Sequence, residues 1–205
     1  RVFRTANAKW RAITKRVSKL HASGKPVLIG TRSILASQEA SRWLSEAGLA
    51  HMTLSADQDA DEAKIVGQAG QSGQITVATN MAGRGTDIKL GEGVSANGGL
   101  TVILTERHDS RRVDRQLEGR CGRQGEPGRI EAYLSLEDDL MQGPDAARAR
   151  RAAYIMSLFL GTRAIGSFIR ERQRKTESAH SQMRRDLMNQ DRDLGDTMAF
   201  SGQLE

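Results

Sequence analysis

A single cysteine, Cys121, in 205 residues leaves no partner for an intramolecular disulfide and too few thiols for a cysteine-based metal cage. No metal site is expected, and a reducing compartment is the natural setting. Aromatic residues make up only 4% of the chain, few for a protein that stacks bases on aromatic platforms. That argues against single-stranded nucleic acid as the main partner. No apolar run reaches the roughly 20 residues needed to span a bilayer, and Arg1-Val2-Phe3-Arg4 opens no signal peptide, so any membrane contact is expected to be peripheral. Also missing is a Gly-x-x-x-x-Gly-Lys-Ser/Thr loop to cradle phosphates; Gly24-Lys25 is followed by Pro26 and fails the pattern. No Asp-Glu pair follows an apolar strand to hold magnesium. Glu137-Asp138-Asp139 comes after what reads as an exposed edge strand and is expected to be a surface acidic turn.

The charge that is present is lopsided. A formal net charge of +6 and a pI near 9.9 favour anionic partners such as nucleotide, nucleic acid or an acidic membrane surface. The length suits one domain plus an appendage, and such a domain buries roughly 70% of its unfolded surface without needing a staple.

Periodicity gives the architecture. Trp10, Ile13, Val17 and Leu20 recur on one face and predict a helix from Asn7 to Ser23, ended by Gly24 and Pro26. Val27-Leu28-Ile29 reads as a short strand, and Ser37 to Ala47 as a helix with Trp43 towards the core. His51 to Leu54 reads as a strand, Asp59 to Gly67 as a short helix, and Ile75-Thr76-Val77-Ala78 as a buried strand. Gly91 to Gly99 is Gly-rich and predicts a flexible loop. Leu100 to Leu104 is strand-like, Ser110 to Arg120 helical, and Ile130 to Leu136 alternates as a single half-exposed edge strand. Strands alternating with helices imply an α/β fold with a parallel, doubly wound sheet. Past Leu140 strand signals cease. Tyr154 to Leu160 and Ile165 to about Met198 read as helix, the second running roughly 50 Å with a stripe through Ile165, Phe168, Ile169, Arg172, Thr176, Ala179, Met183, Leu187, Leu194 and Met198. That stripe is too polar to stabilise a lone helix, so it is expected to lie along another surface.

Two motifs carry chemistry. In Gln116-Leu117-Glu118-Gly119-Arg120-Cys121-Gly122-Arg123-Gln124-Gly125 the glycines let backbone approach a ligand or facing domain. Arg120 and Arg123, if one helical turn apart, point the same way and suit phosphate oxygens gaining charge. Cys121 lies between these arginines, where positive charge would lower a thiol's pKa; a redox switch is one reading, and a small residue filling a tight loop is the favoured one. Upstream, Ala78-Thr79-Asn80-Met81-Ala82-Gly83-Arg84-Gly85-Thr86-Asp87-Ile88 follows a buried strand. A Gly-x-Gly-x-Asp loop at the carboxyl edge of a parallel sheet is where such sheets bind ligands. Gly83 and Gly85 allow the turn, Arg84 offers charge and Asp87 an acceptor.

Thr79 to Ile88 resembles helicase motif V as the SecA preprotein translocase ATPase family carries it. Thr105-Glu106-Arg107-His108-Asp109-Ser110-Arg111-Arg112-Val113-Asp114-Arg115-Gln116, running into the Gly-Arg pairs, is similar to that family's motif VI region, and Tyr133 to Met141 and Gly24 to Ser33 continue the likeness. The resemblance implies a RecA-like second ATPase lobe over 1–141 and a helical scaffold segment over 142–205. It implies ATP with Mg²⁺ in a cleft against a first lobe that carries the missing phosphate and magnesium motifs, leaving this chain inactive alone. In that scheme Arg120 and Arg123 act as arginine fingers, Gln116 senses the γ-phosphate, and Gly83, Arg84, Gly85, Thr86 and Asp87 contact nucleotide. The implied partners are a SecY-type channel, an unfolded preprotein and an anionic membrane surface at the cytoplasmic side; a homodimer stays open. Glu118 and Cys121 depart from the family's usual arginine and serine. The start without methionine suggests a piece of a longer protein, and a shortened, divergent member stays open as well. The rival reading is a superfamily 2 RNA or DNA helicase lobe, because Gln-x-x-Gly-Arg-x-Gly-Arg is shared with those enzymes, and a non-catalytic regulatory lobe is a third.

Overall fold

The computed structural model describes residues 1–54, 59–79, 87–142, 146–160 and 162–201. A five-stranded sheet is built from β2 (Val27–Thr31), β3 (Met52–Leu54), β4 (Ile75–Thr79), β5 (Leu100–Leu104) and β6 (Gly128–Ala132), in the order β3-β4-β2-β5-β6. Every pairing is parallel, and β2, β4 and β5 are buried along their whole length. Continuous apolar runs are what strands covered on both faces require.

Helices supply the covers. On one face α1 (Ala6–Ala22) and α2 (Ile34–Glu46) pack Trp10, Ile13, Val17, Ala40 and Leu44 against Val27, Ile29, Ile75, Val77 and Ile103. On the other, α3 (Asp59–Gln68) and α4 (Arg111–Glu118) bring Ile65, Val66 and Leu117 onto Leu28, Ala78, Leu100, Val102 and Leu104. This is the α/β arrangement, a parallel sheet with helices on both faces, that alternating strands and helices predict. Thr5, Ser33 and Ser110 cap α1, α2 and α4 through side-chain oxygens that accept from backbone N–H groups.

A third cluster lies off the sheet's end. Strand β1 (Val2–Phe3) pairs in parallel with β7 (Leu134–Ser135), and Leu134, Leu136, Leu140 and Met141 pack with Ala153 of α5 (Ala146–Leu160) and Ile165 and Ile169 of α6 (Thr162–Ser201). At ~1.5 Å per residue, the 40 residues of α6 extend about 60 Å.

Three expectations are corrected. Ile130 to Leu136 is not one edge strand: β6 stops at Ala132, Tyr133 is fully buried, and the chain changes sheet at β7. Phe3 stacks on Tyr133 at this crossover. Gly91 to Gly99 is a compact run of turns, with Asn97 and Gly99 N–H groups bonded to Val94 O, Asn97 Nδ2 donating to Ser23 O, and Val94 buried. Gly99 sits at φ 71° with the Pro127 carbonyl where a Cβ would stand, so glycine is required there. Finally, the acidic turn is superficial only in part: Glu137 and Asp139 are exposed, and the residue between them is not. Asp138 is buried, accepts from Ser135 N at 2.7 Å and pairs with the buried Lys9, whose ammonium also donates to Thr105 O at 2.9 Å.

Candidate functional site

Strands β2, β4 and β5 finish at Thr31, Thr79 and Leu104, and the loops beyond them carry the chemistry-bearing residues. Buried Thr31 and Thr105 close this edge, donating to Ala78 O at 3.4 Å and Gly30 O at 3.0 Å. Helix α4 stands against the edge because Gly30 of β2 has no side chain: a Cβ there would lie 2.0 Å from Leu117 Cδ2.

Gly83, Arg84, Gly85 and Thr86 lie outside the described residues. Asp87 is described; it is exposed and forms an ion pair with Arg123. The end of the Gly-Arg-Gly-Thr-Asp loop and the second Gly-Arg pair, far apart in sequence, therefore meet in space. They share the rim of a cleft of about 300 Å³ with Ile88, Lys89, Leu90 and Glu126.

Arg120 and Arg123 do not share a helical face. Helix α4 ends at Glu118 with Gly119 as its cap, Arg120 sits half-buried in the following turn, and Gly122 at φ 66° starts a 3₁₀ turn over Arg123–Gly125. The glycines break the helix that the three-residue spacing assumed. Arg123 is fixed instead by Nε donating to Gly119 O at 2.7 Å and by Asp87. Gln116 lies on the exposed side of α4.

Cys121 fills the turn between the arginines, donating from Sγ to Leu100 O at 3.3 Å, and a Cβ at Gly128 would come within 2.3 Å of that sulfur. Burial pushes the thiol up from its ordinary value, more than neighbouring backbone hydrogen bonds lower it, so the expected acidification does not occur.

Sequence reading passed over the hub that holds α4. Asp114, in the first turn of α4 and 2% exposed, accepts from four donors. Its Oδ1 takes His108 N at 3.0 Å and His108 Nδ1 at 2.8 Å, while Oδ2 takes Arg107 Nη1 at 3.0 Å and Gln173 Nε2 at 2.7 Å. Burial alone would raise the Asp114 pKa; the bonds from His108 and Gln173 outweigh it and hold the carboxyl below its usual range. Arg107 also reaches Glu118 Oε1 at 3.1 Å, tying both ends of α4 to the loop before it. Gln173 continues the four-residue spacing of Ile165 and Ile169, whereas the stripe expected from sequence runs through Arg172.

A family model described as the SecA P-loop domain matches residues 1–96 and 91–158. The chain belongs to the SecA family. It is 47% identical over 208 residues to protein translocase subunit SecA 2 of Bordetella avium (strain 197N), covering 98% of this chain and 31% of that relative. To protein translocase subunit SecA 3 of Magnetococcus marinus (strain ATCC BAA-1437 / JCM 17883 / MC-1) it is 50% identical over 198 residues, covering 95% of this chain and 30% of the relative. This SecA-family chain thus spans about a third of the length of these relatives. Among solved structures, the C-terminal part of the Fun30 ATPase domain superposes with a TM-score of 0.51 at 17% identity, covering 64% of this chain and 42% of that one, a likeness of fold alone. The helicase reading is not favoured by these relatives. Among the described residues no helix is long and apolar enough to cross a membrane.

Proposed function

We propose that this chain is the second nucleotide-binding lobe of an ATP-driven protein translocase motor, with 142–205 forming part of its helical scaffold. The observation that carries the reading is the Asp87–Arg123 contact, which brings the two motifs of a SecA-family chain to one cleft. In this reading ATP with Mg²⁺ lies between this lobe and a first lobe that supplies the phosphate loop and holds most of the magnesium. The nucleotide brings the phosphoryl group whose transfer to water drives the motor.

The chain's own residues would then bind and polarise. Asp87, with Gly83, Arg84, Gly85 and Thr86, would contact nucleotide. Arg120 and Arg123 would neutralise charge developing on the transferred phosphate, and Gln116 would sense the γ-phosphate. Arg123, engaged with Asp87 here, would exchange that carboxylate for phosphate when the cleft closes; a guanidinium fork suits either partner. The moved substrate would be an unfolded preprotein, the docking partner a SecY-type channel, and the location the cytoplasmic face of an anionic membrane, with a homodimer compatible.

The test is ATP hydrolysis by the full-length protein with membranes carrying such a channel and a preprotein, against RNA. Stimulation by channel and preprotein is expected; stimulation by RNA alone would establish the helicase reading. In the same assay Arg120→Ala should lower kcat by about 10³, the typical worth of an arginine finger, while ATP affinity stays within a few-fold. Equal loss of binding and turnover would remove Arg120 from the finger role.

A further inference from the structure

Four hydrogen bonds converge on the Asp114 carboxylate, and only one of them crosses to another element. That one comes from Gln173 on α6. Its amide nitrogen donates to Asp114 Oδ2 at 2.7 Å and to His108 O at 2.8 Å, so both of its hydrogens are committed within α4 and the loop leading to it. Gln173 is 2% exposed, which makes each of those acceptors costly to leave unpaired. One turn on, Glu177 Oε1 accepts from Ser110 Oγ at 2.9 Å, at the cap residue of α4. Helix α6 is itself fixed just upstream by Ile165 and Ile169, both buried against Leu134, Leu136 and Met141.

We infer that Gln173 is a positioning residue for the phosphate-facing turn at the end of α4, setting the rotation of that helix through Asp114. The inference rests on the proposed ATPase reading. Helix α4 is only eight residues long, and Gly119 directly follows it, with Arg120 and Arg123 beyond. A short rigid rod held at its first turn carries any rotation there to its last. On the sheet side the rod is seated by Leu117, against Gly30 and the apolar cluster of Leu28, Leu100, Val102 and Leu104, and Arg107 braces Asp114 and Glu118. Arginines that act on developing charge gain nothing from being near; they must be aimed, and misplacement of about 1 Å can cost on the order of 10² in rate. A bolt that aims them is therefore felt in turnover before it is felt in ground-state binding.

In the full-length protein with channel and preprotein, Gln173→Met keeps the volume and removes both donations. It should lower kcat at least tenfold with KM for ATP within about threefold. Asp114→Asn removes the charge that gathers these donors and should also lower kcat; in that background Gln173→Met should cost clearly less than it does alone, because both changes act through one contact. Thermal unfolding of every variant separates folding from aiming. Unchanged kcat in Gln173→Met, a loss of kcat that only follows the folded fraction, or losses that simply multiply in the double variant would overturn the inference. If the unsubstituted protein hydrolyses no ATP under these conditions, the ATPase reading fails and takes this one with it; if it hydrolyses ATP and Gln173→Met is indifferent, only the positioning role falls.

Discussion

Glu106 and Asp138 share the neighbourhood of one buried amine. Lys9 donates to Asp138 Oδ1, while Glu106, 7% exposed, faces Lys9 and Asp138 through charge alone in the contacts described. Burial raises the Glu106 pKa, Asp138 raises it further, and Lys9 only partly offsets this. The sign follows: a carboxyl raised in the fold adds stability that is complete below its unfolded value, near pH 4, and is lost as pH rises through the folded value. Glu106→Gln should therefore be more stable than the parent at pH 8, with the gain vanishing towards pH 4. Urea unfolding of the two chains across that range reads it; a constant difference at every pH would refute the assignment. None of this was legible from sequence. Three acidic residues in a row look like a solvated turn unless it is known that β7 leaves the main sheet and carries Asp138 under α1. The motif residues were legible because glycines and arginines at fixed spacing answer to a ligand rather than to packing. Their mutual geometry was not legible: spacing implied a common helical face, and Gly119 and Gly122 had already ended the helix.

At the level of elements, what could be read was whatever depends on local pattern. The apolar runs of β2, β4 and β5 and the three-and-four spacing of α1 and α2 announce a covered parallel sheet directly, and the serine and threonine caps sit within a few residues of the expected starts. What stayed hidden were features set by a distant surface. Tyr133 alternates correctly for an exposed strand position, yet it is wholly buried because β1 pairs beside it. Gly30 illustrates the same point from the other side. In sequence it weakens a strand; in the fold it makes room for Leu117 and so decides how near α4 approaches the sheet edge. Gly30→Ala should cost about 1–3 kcal/mol through overpacking, lowering Tm by several degrees. Leu117→Ala in the same chain should recover part of the loss, so that the double variant is less destabilised than the sum. Strict additivity, measured by thermal unfolding, would show that α4 is not seated through this contact.

On the scale of the whole molecule, α6 has two unlike halves. From Ile165 to Glu177 it is bound to the lobe through buried Ile165, Ile169 and Gln173 and the Ser110–Glu177 bond. From 182 to 192 every described side chain is exposed, Met183 at 62%, Leu187 at 50% and Met188 at 70% among them. The stripe read from sequence therefore continues past the point where the lobe covers it, which the sequence shows as periodicity but cannot apportion between surfaces. A helix in water draws most of its stability from packing, and a solvated stretch of this length is marginal alone. Ending the chain after His180 should accordingly leave the cooperative unfolding of the lobe where it was, within about 1–2 °C, as followed by fluorescence of the buried Trp10. The far-ultraviolet helical signal should fall by no more than the removed residues account for, and part of that signal should melt in the longer chain at lower temperature than Trp10 reports. If truncation instead drags the Trp10 transition down by many degrees, the outer half of α6 folds back on the lobe and belongs to its core.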